Sequence, residues 1–306
     1  MKKLAITWDG VDDATGYLFS LAKALSAAVK NSPYADLAEE IVATSGFAFR
    51  MWLSADLCRS ATSIWSWDDQ QRWVENGGLH CDYVGRYWGQ DDQEEAQRLK
   101  AIERIRTSID QGIAAISWDI GVPEWGLITG YDDASQTFAT LSVTGEAAEM
   151  SYDALGKREI PILSVLTLTG KSEKSREAIQ HDTLQLAVSH LQGEEWCDNA
   201  KGLEVYPALI KHYEEATGFG DSSNAEYFLG TYAPLKQYAY KYFEKAHLPE
   251  LAELYQTVYQ AWLSAFTIKK NEDASLLEVR TNIASLLKTA YEKERRALEI
   301  MVGRLR

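Results

Sequence analysis

Cysteine is scarce in this 306-residue chain, with only Cys58, Cys81 and Cys197. Their spacing fits neither a metal knot nor a disulfide framework, and an odd count leaves one thiol over, so a reducing, cytoplasmic setting is expected. Histidine is missing altogether between residues 82 and 180. Of the five present, His181 and His190 lie nine apart on one helical stretch and face different sides, and His212 and His247 stand alone. No metal site and no cofactor is therefore expected. Glycine-rich phosphate loops are absent too: Gly10 and Gly16 are too sparse, and Gly218-Phe219-Gly220 joins two helical stretches. The apolar stretch after Met1-Lys2-Lys3 stops at Asp9, too soon for a signal peptide, and no run approaches the length of a membrane span. Positive charge is also short. Lys and Arg number 31 against 45 Asp and Glu, a net charge of -14 with a pI near 4.9, which argues against nucleic acid or an anionic membrane as partner.

What is present reads as an ordinary folded protein, 46% hydrophobic and 25% charged, long enough for one or two domains. The acidity is concentrated early, with 14 Lys and Arg against 25 Asp and Glu in residues 1–170. That imbalance suits a cationic or amine-bearing small molecule or peptide better than a phosphate. Eight of the ten tryptophans lie at or before Trp125. Clustered indoles can line a ligand pocket, though core packing alone accounts for them.

Along the chain, residues 4–8 predict a short strand, 17–30 and 34–44 two helices, 47–53 a strand, and 91–111 a charged amphipathic helix. Residues 113–116 and 125–129 are apolar runs suited to buried strands, separated by the break at Gly121 to Pro123. Gly130-Tyr131-Asp132-Asp133 then supplies turn chemistry, and residues 138–143 alternate like a returning strand. A short turn or helix at 151–155 and a strand at 160–168 follow, and Gly170-Lys171-Ser172 is the best boundary. Beyond it the apolar period is 3.6, with helices expected at 174–192, 199–217, 225–245, 249–269 and 274–304. Pro234 should kink or break the third of these.

The segment Ile109-Asp110-Gln111-Gly112, a strand, a loop and then Leu127-Ile128-Thr129-Gly130-Tyr131-Asp132-Asp133 resembles the second half of papain-like cysteine peptidase domains. The nearest variants are the double-glycine peptidase-like group and the family of the butirosin biosynthesis protein H N-terminal domain. Gly202-Leu203-Glu204-Val205-Tyr206 and the aromatic helix at 232–243 echo the helical part of the latter. The resemblance implies an α+β fold, a papain-like domain with an antiparallel sheet over residues 1–170, followed by an all-helical domain over 171–306. It also implies a catalytic thiol at the start of the first long helix, near Gly16, and a histidine where this chain has Glu124. An Asp or Asn would fall near Thr144-Gly145. None of the three roles is filled, so no catalytic residue of that type is expected.

The resemblance leaves a cleft with changed chemistry. Its candidate residues are Glu124, Trp125, Trp118, Trp8, Asp9 and Tyr17. Glu124 could accept hydrogen bonds from free amides at the helix start, or hold a cationic ligand group against a face of Trp125, Trp118 or Trp8, or pair with Asp9 or Asp119 as an acid/base couple. Ser20 or Thr15 could attack a carbonyl only with a base beside it, and Glu124 is the single candidate base. Arg59 could acidify the neighbouring Cys58 thiol, but Cys58 reads first as a small buried or half-buried cysteine. The function expected is binding of a small molecule or peptide in the former active-site cleft. The alternative is an acyl- or aminoacyltransferase, as the butirosin resemblance implies.

Overall fold

The computed structural model describes residues 2–196, 198–215 and 222–306. Cys197, the Gly218-Phe219-Gly220 connection and the end of the helix expected at 199–217 lie outside these. In chain order the elements are β1 (Lys2–Lys3), α1 (Ser20–Lys30), a single helical turn α2 (Ile41–Thr44), β2 (Trp52–Leu53), α3 (Asp69–Asn76), β3 (Leu79–Arg86) and α4 (Glu94–Asp110). There follow β4 (Ala115–Ser117), β5 (Gly126–Asp132), β6 (Thr137–Leu141), β7 (Ala147–Ser151) and β8 (Leu163–Lys171). The remaining elements are α5 (Arg176–Leu191), β9 (Ala200–Lys201), α6 (Val205–Glu215), α7 (Ser222–Lys245), α8 (Pro249–Asn271) and α9 (Leu277–Arg304). Contacts divide the chain into two units whose segments alternate along it.

The first unit holds Met1–Val11, Ser20–Ile41 and Ser66–Lys174. Its sheet runs β3-β8-β4-β5-β6-β7, with β1 laid on β5, and every pairing is antiparallel. The apolar run of β5 is buried from Gly126 to Gly130, as a strand covered on both faces must be. Helix α1 packs on β4 and β5, and α4 lies on β3, β8, β4 and β5. Between α4 and the sheet, Ile105, Ile109, Ile128, Phe138 and Val165 form the centre of a shared core. The inner strand expected at 125–129 is therefore present, and the helix that packs on it starts at Ser20 rather than Tyr17.

Several local expectations shift. The strand expected at 4–8 is replaced by β1, paired through Lys2 and Lys3 with Tyr131 and Gly130; the ladder closes at Leu4, whose N–H donates to Thr129 O at 2.8 Å. The helix expected at 34–44 is a 3₁₀ turn at Ala35–Leu37 followed by α2. Of the expected boundary Gly170-Lys171-Ser172, the first two residues end β8, and the contact division falls between Lys174 and Ser175. Among the elements not anticipated are α3, β3 and β7. Helix α3 is polar but for Trp73 and Val74, β3 mixes charged and apolar residues, and in β7 only Met150 is buried, so none carries a clear period.

The second unit comprises Asp12–Phe19, Val42–Trp65 and Ser175–Arg306. Here α7 packs on α8, α8 on α9, and both α5 and α6 on α9. Of the strand expected at 47–53, only Trp52 and Leu53 pair, with Lys201 and Ala200 of β9; Phe49 is instead held in a turn, its N–H on Gly46 O at 2.9 Å. The bundle centre is aromatic, with Tyr206, Tyr232, Tyr255 and Trp262 fully buried. Among them Lys236 Nζ meets Glu294 Oε1 at 2.7 Å, both side chains 0% exposed. Tyr206 donates to Glu294 Oε2 at 2.6 Å, and Trp262 Nε1 donates to the Tyr206 oxygen at 2.8 Å. Burial lowers the Lys236 pKa and the Glu294 carboxylate pulls it back up.

Helix α7 passes through Pro234 without ending. A proline inside a helix has no N–H for the carbonyl four residues back. That carbonyl is Gly230 O, and the Thr15 hydroxyl takes it at 2.6 Å. Gly230 has no side chain at a place where a Cβ would sit 2.6 Å from the Tyr17 ring, so the segment from residue 12 to 19 can lie directly on the helix. Thr231 Oγ1 donates to Tyr17 O at 3.0 Å and completes the seam.

Candidate functional site

The candidate site in the first unit is formed by the start of α1 and the loop between β4 and β5. That loop bends through two left-handed residues, Asp119 at φ +58° and Gly121 at φ +81°. A side chain at Gly121 would meet Ser142 Cβ at 2.9 Å, so glycine suits both the dihedral angle and the space. Asp119 tolerates its conformation because its carboxylate is anchored: Ile160 N–H donates to Oδ2 at 3.1 Å, and Arg158 Nε lies 3.7 Å from Oδ1. The loop closes with Ile120 N–H on Glu124 O at 3.2 Å and a tight Glu124 N–H to Val122 O bond of 2.7 Å. Glu124 is thereby delivered to the head of β5.

There the Ser20 hydroxyl donates to Glu124 Oε2 in a short hydrogen bond. The Ser20 oxygen also accepts the Trp125 N–H at 3.3 Å. Ser20 is the first residue of α1, where main-chain N–H groups have no carbonyl one turn back. The carboxylate expected to meet those amides meets the hydroxyl instead. Glu124 is half-buried, and Oε1 has no hydrogen-bond partner among the described residues. Burial raises the Glu124 pKa above the ordinary carboxylate value of 4.5, and the Ser20 bond only partly offsets it.

Beside Glu124 stands a three-indole cluster. The Trp118 and Trp125 ring centres are 4.4 Å apart, and Trp67 lies 4.9 Å from the first and 4.7 Å from the second. Trp125 is 0% exposed and Trp118 buried, so these two rings pack the core and present no face to a ligand; Trp67 is half-buried. Trp8 donates its Nε1 to Ser142 O at 2.9 Å, and Lys23 Nζ sits 5.5 Å from its ring centre. Asp9 is exposed and turned into its own loop, accepting the Thr7 hydroxyl at 2.8 Å. Tyr17 belongs to the other unit. Its hydroxyl donates to Glu226 at 2.9 Å, and its ring meets Tyr227 and Phe266 at centroid distances of 6.0 and 5.8 Å. Of the residues named in the sequence analysis, Glu124, Trp125, Trp118 and Ser20 thus stand together.

The two described thiols are elsewhere. Cys58 is exposed, just ahead of a 3₁₀ turn, and Cys81 is buried on β3, where desolvation raises its pKa well above the thiol range. Among the described residues no group of three or more His, Cys, Asp or Glu could hold a metal ion, and no helix is long and apolar enough to cross a membrane.

The second unit contains an assembly that the sequence reading missed. Arg50 is 5% exposed, and its guanidinium lies over both Trp52 and Trp65, at 4.4 and 4.6 Å from their ring centres. Its Nε meets Glu195 Oε2 at 2.8 Å, and Nη1 donates to Thr62 O at 2.9 Å. The other oxygen of Glu195 meets His190 Nδ1 at 2.7 Å. Burial works to raise the Glu195 pKa, but Arg50 and His190 outweigh it and hold the carboxyl below its ordinary value. The usable signal was the spacing of Arg50 and Trp52, which on extended backbone share a face.

Compared with known proteins, the chain matches no family model and no curated protein sequence.

Proposed function

We propose that this chain is a papain-like protein that has given up thiol–imidazole chemistry and binds a small molecule or peptide, through an amine, at Glu124. The observation that carries the reading is the pairing of Ser20 at the start of α1 with Glu124 at the head of β5. In papain-like domains the thiol sits at the start of the first long helix and the imidazole on the strand that packs against it. Helix α1 packing on an antiparallel β4-β5 pair supports the same comparison. A half-buried carboxylate with one oxygen tied to a hydroxyl and the other open among the described residues suits an ammonium group, whose charge would replace the solvation lost by burial.

Thermal melts of wild type and Glu124→Gln against a panel of polyamines and aminoglycosides test this. The expected outcome is an upward shift of the wild-type melting temperature that the variant lacks. No shift of the wild type with any amine in the panel overturns the reading. An acyl- or aminoacyltransferase is the second reading, and the Ser20–Glu124 bond is what favours it.

A further inference from the structure

The same bond has the geometry of an activated nucleophile. We propose that Ser20 Oγ and Glu124 form a nucleophile–base pair that accepts an acyl group from an activated carboxylic ester. Three features of the first unit support it. The Ser20 hydroxyl points its proton at Glu124 Oε2, the acceptor a general base must offer before attack. The Ser20 oxygen, which also accepts the Trp125 N–H, keeps a further lone pair for the carbonyl carbon. The start of α1 supplies main-chain N–H groups with no intrahelical acceptor, those of Leu21 and Ala22 adjoining Ser20, where negative charge on a carbonyl oxygen would develop. Burial of Glu124, which makes its carboxylate more basic than one in water, works in the same direction.

The step balances without an oxidant, reductant or metal. Glu124 takes the hydroxyl proton as Ser20 Oγ forms its bond to the ester carbon, and the carbonyl electron pair moves to oxygen. As that pair returns, the bond to the alkoxy group breaks and the leaving oxygen takes the proton from Glu124, giving an alcohol and acyl-Ser20. A water molecule, or an amine, then attacks the acyl carbon, its proton passing through Glu124 back to Ser20 Oγ. The products are a carboxylic acid or an amide.

This inference rests on the reading of Glu124 above, and its test separates the two. The full chain is incubated with an ethoxy fluorophosphonate, an irreversible trap for activated serines, and followed by intact mass and peptide mapping. One adduct on Ser20 is expected. Its rate should rise with pH as Glu124 ionises above pH 4.5, fall at least tenfold in Glu124→Gln at pH 8, and vanish in Ser20→Ala. Circular dichroism of each variant accompanies the labelling, and the wild-type map stands even if a variant fails to fold. Absence of a Ser20 adduct at pH 8 overturns the proposal, as does equal labelling of folded Glu124→Gln. If the amine-induced melting shift persists while labelling is absent, acylation fails and the binding reading survives. If both are absent, both fail.

Discussion

Two carboxylates, one in each unit, have been taken out of water and respond in opposite ways. Glu124 has a neutral partner, the Ser20 hydroxyl, and burial raises its pKa. Glu195, its side chain 8% exposed, has its pKa lowered because Arg50 and His190 face its two oxygens. Desolvation favours the neutral acid in both cases, so the charge of the partner decides the sign. The contrast separates a carboxylate perturbed by burial beside a neutral partner from one held ionised by the charged groups around it.

The largest effect expected from breaking this contrast is at Arg50. Arg50→Met leaves Glu195 without its fixed positive partner and removes the guanidinium from between Trp52 and Trp65. The loss should be about 3–5 kcal/mol in urea unfolding, as for other buried pairs with one member removed. A loss under about 1 kcal/mol would mean that the pair does not anchor the second unit.

Glu195→Gln should cost less, about 2 kcal/mol at pH 7. Because the Glu195 pKa is lowered in the fold, its stabilisation is present above the ordinary value of 4.5 and lost as pH falls through the folded value. The gap between wild type and variant should therefore close below pH 4.5. A gap that persists unchanged at pH 3 would assign the cost to packing instead.

The smallest effect is at Glu124, and its sign is reversed. A raised pKa means that this group's contribution is complete below pH 4.5 and is lost as pH rises through the folded value. Glu124→Gln cannot ionise and still offers Ser20 an acceptor. Relative to wild type it should gain stability from pH 4 to pH 8. Urea melts at the two pH values measure this, and a variant that loses ground as pH rises would reveal a cationic partner for Glu124.

Much of the sheet was legible because β5 is an apolar run ended by turn residues, and the helices beyond residue 171 because their period is sustained. Helix α3 and strands β3 and β7 were not: α3 and β7 bury few apolar side chains, and β3 mixes charged with apolar residues, the buried Arg86 among them. At the candidate site, Glu124 could be singled out from its place ahead of the Gly130-Tyr131 turn. Its bond to Ser20 could not, because it depends on the left-handed turns at Asp119 and Gly121 that aim the loop. Ser20 was one of several hydroxyls near a helix start whose boundary was misplaced by three residues. Arg50 was overlooked because the ring of Trp65 and the carboxylate of Glu195 reach it from distant parts of the chain.

The seam between Thr15 and Gly230 bears on how the chain must be built. Its partners are 215 positions apart in a chain of 306 residues. On the ribosome the segment from residue 12 to 19 emerges early and must wait until α7 has been synthesised before its hydroxyl finds the carbonyl that Pro234 leaves open. Closing so large a loop late is entropically costly, and contacts of this range slow folding. The second unit therefore cannot be completed by the growing chain piece by piece, and fragments cut anywhere between residues 19 and 175 should lack a part it needs.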